Sequence, residues 1–177
     1  METHKMKTQL ILGHAGKDHP DAVTVDIDPL HNPDYVHDLN TFPYPFEENQ
    51  FTEIICHHVL EHLENLPPVM DELHRILAKD GVLIIESPHH TAWCANTPEH
   101  KLFFNYFAFD GYIDDGCTEW INGKKFKAIE KKITFHKRFR RLFLHKLFNR
   151  HPKEYERFWA YMFPAENMTA KLTPIKE

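Results

Sequence analysis

The stretch Tyr35–His90, YVHDLNTFPYPFEENQFTEIICHHVLEHLENLPPVMDELHRILAKDGVLIIESPHH, leaves few folds open to this chain. Phe51 to Cys56 is a short apolar run bounded by the polar cluster Glu47 to Gln50, the mark of a strand covered on both faces. From His58 the period changes. Val59, Leu60, Leu63 and Leu66 recur at helical spacing, Pro67 and Pro68 interrupt the pattern, and Val69, Leu73, Ile76 and Leu77 resume it. Lys79 near the end and Gly81 just past it are stop signals. Val82 to Ile85 is a second continuous apolar run. Strand, helix and buried strand make a βαβ unit, and such units build a parallel sheet through right-handed crossovers. Ligands of these sheets bind at the carboxyl ends of the strands. Here those ends carry Asp26 and Asp28, Asp38, His57 and His58, and Ser87 to His90.

The flanking sequence extends the sheet on both sides. Gln9 to Leu12 is an apolar run ending in Gly13-His14-Ala15-Gly16, and Ala22 to Ile27 is a second strand. The ten residues Gly13 to Ala22 that join them are fewer than a parallel crossover with a helix requires, so the first crossover is a bare loop or has lost its helix. Asp34 to Asp38 is a short third strand. His89 to Phe109 is aromatic without a clean period, and residues 89–123 as a whole read as a lid over the strand ends. Lys125 to His136 and Met168 to Ile175 alternate in the manner of strands and form an antiparallel closing pair. Between them, Phe139, Leu142, Phe143 and Leu147 mark an amphipathic helix with a basic face, and Tyr155 to Met162 a second short helix.

Composition narrows the class. With 177 residues, 42% of them hydrophobic, the chain suits one domain with a sizeable core, preceded by a tail over residues 1–7. Residues 1–8 lack a signal-peptide core and no apolar run reaches membrane-spanning length, which places the protein in the cytoplasm. Cys56, Cys94 and Cys117 lie far apart with no CxxC pair, against a disulfide framework or a cysteine-only zinc site. The net charge of −5 hides an asymmetry, because residues 124–153 hold 12 of the 21 Lys and Arg with Glu130 as the only acid. This basic segment admits three readings: the solvated face of a packed helix, a surface for an anionic partner, or peripheral contact with lipid headgroups. An acidic body beside a basic helix also favours a homodimer.

In this order the elements resemble the class I S-adenosylmethionine-dependent methyltransferases, in their short ubiquinone-methyltransferase-like (type 11) branch. Phe46-Glu47-Glu48-Asn49-Gln50-Phe51 followed by Val59-Leu60-Glu61-His62-Leu63 is similar to the family's stretch from its post-turn PF to its LEH helix. Glu72-Leu73-His74-Arg75-Ile76-Leu77 with Asp80-Gly81-Val82-Leu83 is similar to its E-x-x-R-x-L-K-P-G-G-x-L segment. The resemblance implies an α/β, Rossmann-like sheet, mostly parallel with an antiparallel C-terminal strand pair, spanning residues 1–177 as a single domain. It implies S-adenosylmethionine as cofactor, with Asp26 or Asp28 on the ribose hydroxyls, Asp38 on the adenine amino group beside Leu39, and Gly13 in the loop that approaches the cofactor. His14, Ala15 and Ile27 belong to the same loop and strand end, and His57 to the methyl side. Departures from the family pattern are the helix-poor Gly13-His14-Ala15-Gly16 motif, Thr52 where an Asp is usual, and Lys79-Asp80-Gly81 for Pro-Gly-Gly.

The implied reaction is in-line methyl transfer to an oxygen or nitrogen of a small molecule. His57, His89 and His90 are candidate general bases because they sit at strand ends and imidazole as a group is suited to proton transfer near neutral pH. Plainer readings stand beside these roles: strand-ending acids for Asp26 and Asp28, turn packing for His57 and His58, and core for the aromatics of 93–109. His58-x-x-Glu61-His62 also matches an inverted zinc-peptidase pattern, in which histidines at i and i+4 on one helix face would chelate zinc. That reading ranks below the methyltransferase, and the methyltransferase reading itself assigns no metal. The other alternative is a methyltransferase-like binding or scaffold protein that lost catalysis with its first helix. The chain has no Asn-Pro-Pro-Tyr or Asp-Pro-Pro-Tyr motif for amino-group methylation of bases, which argues against nucleic acid as substrate.

Overall fold

The computed structural model describes residues 8–17, 19–114, 124–140 and 143–176. Seven strands form one sheet in the order β3-β2-β1-β4-β5-β7-β6. They are β1 (Gln9–Leu12), β2 (Ala22–Asp26), β3 (Tyr35–Val36), β4 (Phe51–His57), β5 (Leu77–Pro88), β6 (Phe126–Ile133) and β7 (Asn167–Pro174). β1 to β5 pair in parallel, and β7 inserts antiparallel between β5 and β6. The expected mostly parallel sheet with an antiparallel closing pair is therefore the fold observed.

Helix α1 (Leu66–Ile76) makes the β4–β5 crossover and buries Val69, Met70, Leu73 and Ile76. Here the structure corrects the sequence reading. The helix does not run from Val59 through an interruption: Leu60–His62 is a single 3-10 turn, and Pro67 and Pro68 open α1. A proline in the first turn gives up only an N–H that has no intrahelical partner there. Arg75 in the last turn donates to both carboxylate oxygens of Glu72 (2.9 and 2.7 Å) and to the carbonyls of Tyr44 and Phe46 (3.1 and 2.8 Å), which ties the proline-rich turn 42–46 to the helix.

Between β6 and β7 lie α2 (Lys137–Arg140), α3 (Leu144–Arg150) and α4 (Pro152–Glu154), the last running into a π turn over Tyr155–Trp159. The amphipathic stripe expected there is only partly realised. Phe143 and Leu147 are exposed, Phe139 is partly buried, and the buried anchor is Phe148, packed on Phe135 and Tyr155. Leu142 lies outside the described residues, as do Cys117 and the part of the lid over 115–123.

Right-handed crossovers put the β1–β2 and β2–β3 connections on the sheet face opposite α1. Neither connection contains an α-helix among the described residues; the second has one 3-10 turn, Pro29–His31. Among its described residues the first crossover is thus a loop without a helix, in keeping with its ten residues. One sheet face carries the core, with Leu10, Leu12, Ile54, Cys56, Leu83, Ile85, Ala170 and Leu172 at most 1% exposed. The other, with Glu53, Ile55, Val82, Ile84, Glu86, Thr169 and Lys171, is half-buried to exposed. β4 is therefore covered on one face rather than two. Its apolar residues on the open side shelter against neighbouring strands, Ile55 lying opposite Ile11 and Ile84.

Candidate functional site

A cleft of about 450 Å³ opens at the carboxyl ends of β1, β2 and β4. Gly13 leaves β1 with φ +66°, and its N–H donates to the Val25 carbonyl at 2.9 Å. A Cβ on Gly13 would lie 2.9 Å from Cγ2 of Val59, so glycine is required both by the left-handed backbone and by the close approach of the turn after β4. Ala15 follows, and its N–H donates to Asp26 Oδ2 at 3.0 Å. Asp26 Oδ1 accepts from the N–H of Asp28 (3.0 Å), and His31 Nδ1 lies 3.1 Å from Oδ2. Burial opposes the charge of Asp26, yet these donors together hold its carboxyl below the usual range.

The structure brings Gly13, Ala15, Asp26, Ile27, Asp38 and Leu39 onto this one cleft. Ile27 is 65% exposed, an apolar wall open to whatever enters. Asp38 accepts from the backbone N–H and the side-chain amide of Asn40 (2.9 and 3.0 Å), both through Oδ1. Three expected residues lie elsewhere. Asp28 caps the 3-10 turn by accepting from Leu30 N–H at 2.9 Å. His14 is turned away, 5% exposed, into a separate cavity of about 340 Å³ beside Thr24 and Asp34. His57, by strand alternation, falls on the open sheet face with Glu53 and Ile55.

His58, rather than His57, is the histidine at the end of β4 that faces the cleft, beside His37 and His62. It takes φ +53°, donates its N–H to the Glu86 carbonyl at 2.8 Å, and places Nδ1 3.4 Å from Glu61 Oε1 and Nε2 3.7 Å from Glu86 Oε1. The Glu61 carboxylate raises its pKa above the ordinary imidazole value. Strand parity, counted from Ile54 and Cys56, is the signal that would have set His57 apart from the cleft. His62, Glu64 and Lys101 also line the cleft, and no sequence signal singled out the last two. The peptidase pattern fails because its helix is missing: His58 is left-handed and residues 60–62 make one 3-10 turn, so His58 and His62 do not share a helical face.

A second pocket, of about 390 Å³, lies under the irregular segment and is lined by Leu66, His90, Leu102, Phe103, Phe104, Asn105 and Ala108. Phe104 and Phe109 are buried and stacked at 5.4 Å, as core, whereas Trp93 is 93% exposed. At this pocket His90 Nε2 lies 3.2 Å from Glu156 Oε2, and His89 Nε2 lies 3.0 Å from Oε1. His89 is fully buried, and its Nδ1 accepts from the N–H of Thr91 at 3.3 Å, with the Thr91 hydroxyl at 2.7 Å; its proton therefore sits on Nε2, donating to Glu156. With both ring nitrogens committed, His89 positions Glu156 and is not free to act as a base. Glu156 accepts a further N–H from Tyr106 at 2.7 Å. Burial works against its charge, but these donors bring its carboxyl down to about 2.

The strand order, with β7 reversed beside β5, decides the fold, and comparison with known structures gives the same answer. A methyltransferase from Archaeoglobus fulgidus described as SAM-dependent superposes with a TM-score of 0.56 at 13% identity, over 93% of this chain and 85% of its own. This is the class I methyltransferase fold. Coclaurine N-methyltransferase, in a complex with N-methylheliamine and SAH, gives 0.55 at 11% identity over 93% and 65% of the two chains. The [4+2]-cyclase SpnF gives 0.57 at 9% over 93% and 73%. Residues 19–85 match the type 11 methyltransferase-domain family, a match that starts beyond the glycine loop. No curated protein matches the sequence. The methyltransferase sheet is thus present, with no α-helix among the described residues of its β1–β2 and β2–β3 connections.

Proposed function

We propose that this chain binds S-adenosylmethionine in the cleft at the ends of β1, β2 and β4 and transfers its methyl group to an oxygen or nitrogen of a small molecule. The observation that carries this reading is the convergence of Gly13, Asp26, Ile27, Asp38 and Leu39, from separate elements, around one volume of about 450 Å³. That volume is ordinary for a small-ligand site. The residues fit the parts of the cofactor. Ile27 and Leu39 give apolar walls for the base, and Asp38 has in Oδ2 an acceptor that Asn40 does not use. Asp26 Oδ1 keeps a lone pair beyond the one taken by Asp28, enough for a ribose hydroxyl. Gly13 lets backbone approach where a side chain would intrude.

When bound, the cofactor supplies a methyl group already activated on a sulfonium, so the protein has mainly to orient the acceptor and exclude water. The pocket beside His90 suits that task, being apolar on Leu66, Leu102, Phe103 and Phe104, with His90 and Asn105 as polar groups. Glu156 accepts the Nε2 proton of His90, which leaves Nδ1 as the atom that takes a proton from an acceptor hydroxyl or amine. The test is calorimetric titration of S-adenosylhomocysteine into wild type, Asp38→Ala and Asp28→Ala. Micromolar binding weakened by about 1–3 kcal/mol in Asp38→Ala, and unchanged in Asp28→Ala, is the expected result. No binding to the wild type at millimolar ligand would sink the proposal.

A further inference from the structure

The residues around the 3-10 turn after β4 pose a separate problem in charge. Glu61 is 1% exposed, and neither of its carboxylate oxygens has a hydrogen-bond partner. His58 Nδ1, 3.4 Å from Oε1, supplies a partial counter-charge from the half-exposed side but does not complete a hydrogen bond. A buried carboxylate left in this state is costly unless a cation completes it.

Two imidazoles stand beside it. His62 Nδ1 lies 3.2 Å from the Glu99 carbonyl and His100 Nδ1 lies 3.0 Å from the Ala95 carbonyl. A carbonyl only accepts, so each ring carries its proton on Nδ1 and keeps the lone pair on Nε2. Backbone carbonyls that fix the tautomer in this way are the usual outer support of metal-binding histidines. The rings meet edge to face, 4.8 Å between centroids, and one ligand atom each from Glu61, His62 and His100 lies within 4.8 Å of the others. Ligands of a tetrahedral zinc sit about 3.3 Å apart, given Zn–N and Zn–O bonds of about 2.0–2.1 Å. His62 is exposed and His100 half-buried, so the rings can close that remaining distance.

We propose that Glu61, His62 and His100 form a site for a divalent transition metal of the zinc class, with two imidazole nitrogens and one carboxylate oxygen as ligands and the remaining position open to solvent. The site joins two segments far apart in sequence, the turn after β4 and the irregular segment that covers the second pocket. These already touch through the N–H groups of Lys101 and Leu102, which donate to the Glu61 carbonyl at 2.7 and 3.1 Å. A cation here neutralises Glu61 and clips the covering segment to the cleft wall. The site does not depend on the cofactor reading, since none of its ligands is assigned to the cofactor.

The experiment uses the tag-free, metal-stripped full chain, titrated with Zn²⁺ by calorimetry and with Co²⁺ followed by visible absorption. One equivalent with the d–d bands of a four- or five-coordinate ion is expected. His100→Ala and Glu61→Gln should each weaken it by more than about tenfold, while His90→Ala, in the other histidine-rich cluster, leaves it intact. Zn²⁺ should raise the melting temperature of wild type but not of His100→Ala. If Glu61→Gln does not fold, His100→Ala decides alone. No uptake by the wild type at sub-millimolar Zn²⁺, or an equivalent that survives His100→Ala or disappears in His90→Ala, overturns the proposal.

Discussion

Replacing Gly13 by alanine tests the geometry of the cleft at its tightest point. The new Cβ would stand 2.9 Å from Cγ2 and 3.1 Å from Cβ of Val59, and the residue would have to hold φ +66°. The left-handed backbone costs a non-glycine residue about 1–2 kcal/mol, and the overlap adds about 1–3 kcal/mol, typical of overpacking. Val59 is buried at the head of the 3-10 turn and Gly13 N–H is bonded to Val25, so neither side gives way freely. At about 2–4 °C per kcal/mol for a chain of this size, the melting temperature should fall by roughly 4–20 °C. The two contributions separate in a double-mutant cycle. Val59→Ala removes Cγ2 and should relieve the overlap while leaving the backbone strain, giving a favourable coupling of about 1–3 kcal/mol between the two sites. Thermal and urea unfolding of the four proteins measure it. A Gly13→Ala protein as stable as wild type, or strictly additive losses in the double mutant, would refute the close approach of the loop to Val59.

The remaining predictions concern other parts of the site. Ile27→Ser should leave the melting temperature almost unchanged, because Ile27 is 65% exposed, yet weaken S-adenosylhomocysteine binding by about tenfold through loss of an apolar wall; equal affinity by calorimetry would remove Ile27 from the site. Arg75→Lys should lose about 2–3 kcal/mol in urea unfolding, because a point charge cannot serve Glu72, Tyr44 and Phe46 together; an unchanged midpoint would contradict this. Glu156 has a folded pKa of about 2 against an ordinary 4.5, so its contribution is present above the unfolded value and lost as pH falls toward 2. The gap is worth about 3 kcal/mol, an order of magnitude. Glu156→Gln should therefore be less stable at neutral pH and less sensitive to acid below pH 4.5; an acid limb as steep as that of wild type would count against the assignment.

What the sequence disclosed follows from how local each signal is. Strands β4 to β7 carry their own period, and ten residues between two apolar runs already exclude a helical crossover, so the sheet and its reduced first connection could be read directly. Pro67 and Pro68 could not, because the same residues break a helix from within and start one from outside. The difference lies in the 3-10 turn before them. Ile55, Val82 and Ile84 read as doubly buried because side-by-side shelter within a sheet leaves the same apolar pattern as cover from above. The cleft residues Gly13, Asp26 and Asp38 were visible because they sit at or just past strand ends and match the ordered motifs of the family that the chain resembles. Glu156 was not, since it reaches His89 across 67 positions and nothing near it in the chain marks the contact. His14 and Asp28 show the limit of neighbourhood as a guide: each adjoins a cleft residue in sequence and points elsewhere.

The sheet ends on one side in the two residues of β3 and on the other in the longer β6, whose outer edge is met among the described residues only at its ends, by a bridge from Ile113 to Phe126 and by the Asn149 side chain on Ile133. Such a rim invites pairing with any passing strand. Along β6, Lys127 and Lys132 are exposed, and a register shift between Ala128 and Glu130 disturbs the ladder where Ile129 would otherwise offer a flat apolar step. A second copy approaching this rim would set lysine against lysine along a bent template. Two lysines of the basic segment thus stand on the rim of the sheet, where exposed charge disfavours pairing with a passing strand.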